Sequence, residues 1–242
     1  MRVTADRPTR PEPAPKGTRR SVWVVLTTKA KICGITRLED AQLAVEHGAW
    51  ALGFILWPGS RRAVSAAQAA DIAARVRRRA GLVGVFVNAS LEEVAGSADA
   101  IGLTHVQLHG DEGPAFCAEV GRRTGCKVIK AVPVASGADL QAAERFRAVD
   151  FHLLDTGARG QRGGTGETWD WALAPRRRSA VPKIVSGGLT AENVAAGIAA
   201  VDPYAVDVAS GVEVPGQPGI KDPDRLRAFL AAVGAATVRS VV

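Results

Sequence analysis

From Lys29 onward the hydrophobic pattern repeats one unit: a short β-branched run, a polar turn, then an alanine-rich stretch with helical spacing. The pattern predicts strands over Lys29–Cys33, Ala51–Leu56, Leu82–Val87, His105–Leu108, Lys127–Val132, Phe151–Leu154, Lys183–Ser186 and Ala205–Val208. Helices are predicted over Leu38–His47, Ser65–Arg79, Leu91–Ala100, Pro114–Arg123, Ala138–Arg147, a short one at Asp170–Ala174, Ala191–Ala200 and Asp222–Val233. Strict strand–helix alternation implies a parallel sheet with right-handed crossovers. About 210 residues for eight such units suits a compact (β/α)8 TIM barrel. The rival, an open doubly wound sheet, would carry Gly-x-Gly-x-x-Gly after its first strand, and none is present. The expected fold is therefore α/β: a single (β/α)8 domain over residues 29–242, preceded by a leader and lead-in segment at residues 1–28.

A barrel of this kind keeps its chemistry at the C-terminal ends of the strands. Five of those ends carry reactive or small residues: Lys31-Ile-Cys33-Gly34, Gln107-Leu-His109-Gly110, Leu154-Asp155-Thr156, Val185-Ser186-Gly187-Gly188 and Asp207-Val-Ala209-Ser210-Gly211. Residues two apart on a strand share a face. Lys31 and Cys33 therefore point inward on the first strand, as do Asp207 and Ala209 on the last. Those two strands are neighbours in a closed barrel. Since a buried charge needs a partner, Lys31 and Asp207 are expected to pair beneath the site.

Charge first points elsewhere. The formal net charge is +7 and the pI about 9.8, values that invite a nucleic-acid partner. Yet Met1–Arg20 holds six Lys/Arg against two Asp/Glu, together with four prolines, so the leader carries +4 and the remainder only +3. With almost no large apolar side chain, the leader is expected to be disordered. Ser21–Leu26 is too short for the apolar core of a secretory signal. The arginine runs at Arg75–Arg79 and Arg176–Arg178 read as solvated charge, and no aromatic residues interleave them. No apolar run approaches the ~20 residues that span a bilayer. Three cysteines, Cys33, Cys117 and Cys126, form no disulfide or metal spacing. A cytoplasmic protein with no metal, no cofactor, no nucleic-acid partner and no membrane partner is expected.

The strand ends also spell an ordered set of motifs: Lys31-Ile-Cys-Gly-Ile-Thr36, Gln107-Leu-His-Gly110, Leu154-Asp-Thr156, Gly163-Gly-Thr-Gly166, Ser186-Gly-Gly-Leu189, Ser210-Gly-Val-Glu213 and Pro218-Gly-Ile-Lys-Asp222. Over roughly Lys29–Val233 the chain closely resembles the phosphoribosylanthranilate isomerases of tryptophan biosynthesis. The resemblance implies an Amadori rearrangement, which needs one acid and one base. It gives Cys33 as the general base and Asp155 as the general acid. It places Lys31, Arg62, Gln107, His109, Gly164 and Asp207 around the substrate, and Gly187, Gly188, Ala209, Ser210 and Gly211 around its phosphate. Oligomeric state is not written in the sequence; the resemblance implies a monomer, with a dimer as the alternative.

These roles make physical demands. A free cysteine is mostly thiol at pH 7, and Lys31 is the group expected to lower its pKa. Asp155 has to keep a proton near neutrality, which burial would favour. Glycine turns after the last two strands expose backbone N–H groups to an oxyanion, and the predicted helix start at Thr190 would add its dipole. An arginine fork matches the anthranilate carboxylate. In Trp57-Pro-Gly-Ser-Arg-Arg-Ala-Val64 the matching arginine is Arg62, but Arg61 and Ala63 stand where the family has proline and tyrosine. Losing that proline is expected to loosen the loop and leaves Arg61 as a rival for the carboxylate. Ala209 replaces a common serine, and Val214-Pro-Gly-Gln217 lengthens its loop. Two alternatives share the barrel: the related isomerase of histidine biosynthesis, whose first strand ends in aspartate where Cys33 stands, and a non-catalytic sugar-phosphate-binding paralogue.

Overall fold

The structure, a computed structural model, describes residues 23–156, 168–176, 179–236 and 238–241. Strand β1 (Trp23–Leu26) lies outside the barrel. The barrel is closed by eight parallel strands in chain order: β2 (Lys29–Cys33), β3 (Ala51–Ile55), β4 (Gly81–Phe86), β5 (His105–Leu108), β6 (Lys127–Val134), β7 (Phe151–Thr156), β8 (Lys183–Val185) and β9 (Ala205–Val208). The crossovers carry helices α1 (Leu38–Glu46), α2 (Ala66–Val76), α3 (Leu91–Ile101), α4 (Pro114–Thr124), α5 (Gly137–Ala143), α6 (Val194–Val201) and α7 (Pro223–Ala235). The (β/α)8 architecture read from the alternation is thus present. Among the described residues no helix is long and apolar enough to cross a membrane.

Local chemistry explains the boundaries. Ser65 with Gln68 and Ser90 with Glu93 form capping boxes that start α2 and α3. Gly102 and Gly125, both left-handed, stop α3 and α4. Helix α2 ends at Val76 rather than Arg79 because Arg78 turns left-handed, with φ 70°. Helix α5 ends early, where Arg145 and Phe146 donate instead to the carbonyls three residues back. The sixth predicted helix is a 3₁₀ segment, Trp171–Arg176. It contains Pro175, which has no N–H for an α-helical bond. Helix α6 starts at Val194, not near Thr190, since Asn193 Oδ1 accepts the Thr190 N–H and holds the chain in a turn.

Two hydrophobic layers follow from strand alternation. Outward residues such as Ile32, Leu52, Phe54, Val106 and Val206 pack against the helices. Inward residues, including Ala51, Val83, Ile129, Leu153, Ile184 and Ala205, fill the barrel. At its N-terminal end Trp50, His105, Phe151 and Tyr204 stack edge-on or tilted as a plug. Trp23–Leu26, read as lead-in chain, pairs antiparallel with β10 (Val238–Val241), beyond the last helix. Both are short valine-containing runs of high strand propensity. The leader at residues 1–22 lies outside the described residues.

Candidate active site

The C-terminal ends of the strands surround one pocket, lined by Cys33, Arg62, Gln107, His109, Asp155 and Asp207 together with the turns after β8 and β9. Most of the residues picked out from the sequence are therefore gathered at one place. Gly164 lies outside the described residues.

Cys33 ends β2 opposite Gly53 of β3. A Cβ on Gly53 would come within 2.8 Å of Cys33 Sγ and 3.1 Å of Lys31 Nζ, so the bare glycine makes room for both. Lys31 sits one inward position below and is in register with Asp207. Its Nζ donates to Asp207 Oδ1 at 2.8 Å, which is the pairing that strand periodicity predicts. Lys31 is fully buried and does not line the pocket, so it supports the site from beneath rather than meeting a ligand. Its own pKa is pulled down by burial, but Asp207 and Cys33 outweigh this and hold it above the ordinary lysine value.

The Cys33 thiol goes against expectation. Burial raises its pKa and outweighs the opposing pull of Lys31. Asp207, which binds Lys31, pushes the same way as burial. The resting group at neutral pH is therefore a thiol.

On the far wall, Asp155 is 6% exposed and its Oδ1 accepts the N–H of Thr156 at 2.9 Å. Its Oδ2 lies 3.4 Å from His109 Nε2. Gln107 Nε2 donates to His109 Nδ1 at 2.9 Å, so the ring proton sits on Nε2, facing Asp155. The backbone around His109 is clamped from behind. Lys130 Nζ donates to Leu108 O, Gly110 O and Glu112 Oε2, and Glu112 also accepts the N–H groups of Asn88 and Gly110. His152, which the sequence leaves without company, bonds the Phe146 carbonyl at 2.8 Å on the outer side of the barrel.

Arg62 turns into the pocket while Arg61 is exposed, so the two are distinguished by placement. Without the family's proline, the loop is closed by its own hydrogen bonds. Ser60 N–H donates to Trp57 O, Ala63 N–H to Ser60 O, Arg62 N–H to Ser60 Oγ and Val64 N–H to Ile55 O, all within 3.1 Å. Arg62 meets Glu213 through two bonds of 2.8 Å. Burial pushes the Glu213 carboxyl up, but Arg62, Lys221 and the Gly219 N–H together hold it below the ordinary value. Glu213 and its partner Lys221 lie in the strand-end motifs with no role that the sequence assigns. Their signal was a Glu and a Lys flanking a Pro-Gly loop, joined in the fold by an antiparallel bridge. Ile55, Trp57 and Val85 add an apolar wall beside Arg62.

The opposite rim is backbone. Gly187 and Gly188 take φ values of 91° and 59°, and Ser210-Gly211 opens a 3₁₀ turn, Ser210–Val212. With α6 starting later than expected, it is these turns, not a helix N-terminus after Gly188, that face the pocket.

Comparison with known proteins agrees with this geometry. The family model of N-(5'phosphoribosyl)anthranilate (PRA) isomerase matches residues 30–232. An N-(5'-phosphoribosyl)anthranilate isomerase of Chromohalobacter salexigens is 49% identical over 207 residues, 85% of this chain and 94% of that protein. That of Pseudomonas syringae pv. tomato is 48% identical over 206 residues, covering 85% and 97%. The crystal structure of the Thermotoga maritima enzyme superposes with a TM-score of 0.77 at 39% identity, covering 86% of this chain and 99% of that one. A phosphoribosyl anthranilate isomerase in complex with reduced 1-(o-carboxyphenylamino)-1-deoxyribulose 5-phosphate superposes at 0.75, with 38% identity and the same coverage. The chain belongs to the N-(5'-phosphoribosyl)anthranilate isomerase family.

Proposed function

We propose that the chain catalyses the Amadori rearrangement of N-(5'-phosphoribosyl)anthranilate to 1-(2-carboxyphenylamino)-1-deoxyribulose 5-phosphate, in tryptophan biosynthesis. The observation that carries the reading is one pocket faced by a thiol, a carboxyl group, an arginine fork and two glycine turns. Asp155 donates its proton to the furanose ring oxygen, and the ring opens to a cationic Schiff base. Cys33, after giving its own proton to solvent in the open pocket, acts as the thiolate and removes the proton from C2, and the resulting enolamine tautomerises to the ketone by taking a proton from solvent at C1. The raised thiol suits this order. The thiolate is favoured when the Schiff-base cation adds its charge to those of Lys31 and Lys221. Asp155 takes its proton back from solvent, and the His109 Nε2–H beside it orients the carboxyl.

The substrate's two anions define its orientation. Phosphate lies on the N–H groups of Gly187, Gly188, Ser210 and Gly211, with Ala209 at the turn's start. The aryl carboxylate meets Arg62, and the ring lies along Ile55, Trp57 and Val85. Every group named comes from one barrel, which supports a monomer as the working unit. Free thiols at Cys33, Cys117 and Cys126 suit a reducing cytoplasm.

The test is turnover of phosphoribosylanthranilate, followed by its fluorescence. Cys33→Ala and Asp155→Asn are expected to lose at least ~10²-fold in kcat while keeping the wild-type circular dichroism. Near-native turnover in both variants would refute the assignment. Growth of a tryptophan auxotroph lacking this step gives an independent check.

A further inference from the structure

Arg62 is held more completely than a ligand-binding arginine needs to be if it merely supplies charge. Its stem crosses the strand end at Gly34, where φ is +72° and an added Cβ would come within 2.7 Å of Arg62 Cδ. Its Nε and Nη2 both donate to Glu213, at 2.8 Å each. Glu213 is in turn fixed: its Oε1 accepts the Gly219 N–H at 3.0 Å and Lys221 Nζ at 3.1 Å, and only 5% of the residue is exposed. Lys221 Nζ also donates to Cys33 O at 2.7 Å and Ala209 O at 3.1 Å. One buried lysine thus ties the carboxylate that grips Arg62 to the strand end that bears the thiol.

We propose that Glu213 is a positioning residue for substrate selection, holding the Arg62 fork side-on so that its end-on edge faces the pocket for the aryl carboxylate. The inference rests on the function proposed above. A guanidinium has five donors in a plane. Glu213 uses the Nε–Nη2 edge, which leaves the Nη1–Nη2 edge for a ligand. A fork fixed in advance loses less side-chain freedom on binding than a free one. Glu213 touches Arg62, not the reacting atoms, so its effect is on recognition of the carboxylate.

The experiment compares two unreactive probes by calorimetry: 1-(2-carboxyphenylamino)-1-deoxyribitol 5-phosphate and the phenylamino compound that lacks the carboxylate. Wild-type protein is expected to prefer the first. Glu213→Gln is expected to weaken the carboxylate probe ~10-fold or more and the other less than ~2-fold. In an Arg62→Ala background the same change is expected to have no further effect. Glu213→Asp keeps the charge but draws it back by one carbon, and should show the same selective loss if Glu213→Gln does not fold. Equal losses on both probes, a loss that persists without Arg62, or wild-type binding by Glu213→Asp would overturn the proposal. Failure of the wild type to prefer the carboxylate probe or to turn over phosphoribosylanthranilate would instead sink the underlying functional reading.

Discussion

Lys31 and Asp207 are register partners on neighbouring strands, and their 2.8 Å contact lies inside the barrel, one inward position below the Cys33 thiol. The pair therefore sets both the packing and the charge under the site. Removing one member leaves the other as an uncompensated buried charge, which costs about 3–5 kcal/mol. Lys31→Met should lower the urea midpoint accordingly. Lys31→Met with Asp207→Leu should recover most of the loss, because no lone charge remains. A single substitution costing under ~1 kcal/mol would show that water or another group already solvates Asp207.

The raised Cys33 thiol predicts sluggish alkylation despite its place on an open pocket. Thiolate is the nucleophile. At pH 7.5 iodoacetamide should modify Cys33 slowly, with a rate that keeps rising beyond pH 9, the ordinary cysteine value. Cys117, fully buried and pushed up to about 11, should resist longest. Mass spectrometry of timed samples gives each rate. Rapid labelling of Cys33 at pH 7 would mean that Lys31 outweighs burial after all.

The strand ends were legible because alternation and the barrel rule act locally: Cys33, His109, Asp155 and Asp207 follow from counting two residues along each strand. The direction of the thiol shift was not legible, because it depends on how completely Cys33 is buried and on Asp207, 174 positions away, offsetting Lys31. Glu213 and Lys221 escaped for the same reason. Each is a surface-type residue whose burial is made by contacts with Arg62, Cys33 and Ala209 at the ends of strands and in the loops after them. The short 3₁₀ segment at Trp171 was readable in part, since Pro175 already forbade a regular helix there, whereas the early end of α5 carried no such marker.

The glycine rim predicts a sharp steric result. An added Cβ at Gly211 would collide with the carbonyl oxygen of Leu189, and at Gly187 with Thr156 Oγ1 and, at 2.7 Å, its backbone nitrogen. Backbone lies on the far side in both cases, so the turn itself has to move. Gly211→Ala should raise KM ~10-fold or more and weaken competitive inhibition by inorganic phosphate in parallel, since both depend on the same N–H groups. If KM rises while phosphate inhibition is unchanged, the turn does not hold the phosphate.

His105 predicts the acid limb of stability. It lies inside the plug at the barrel's N-terminal end, with Nδ1 2.7 Å from Thr104 Oγ1 and the Trp50 ring centroid 5.3 Å away. Burial, then the positive charge of Lys127, lowers its pKa to about 4 from 6.5, while Asp150 opposes weakly. Between these values the unfolded chain takes up a proton that the folded chain refuses. Stability contributed by neutral His105 is therefore complete above pH 6.5 and falls as the pH drops toward 4, by at most about 1.4 kcal/mol per pH unit. Solvent screening at this partly open end reduces that slope. Glu213 adds a loss below 4.5, because its carboxyl is held down in the folded state. His105→Phe keeps an aromatic ring in the plug and removes the titration. Unfolding free energies measured from pH 7 to pH 4 should fall less steeply in this variant, and parallel curves would show that another group controls the acid response.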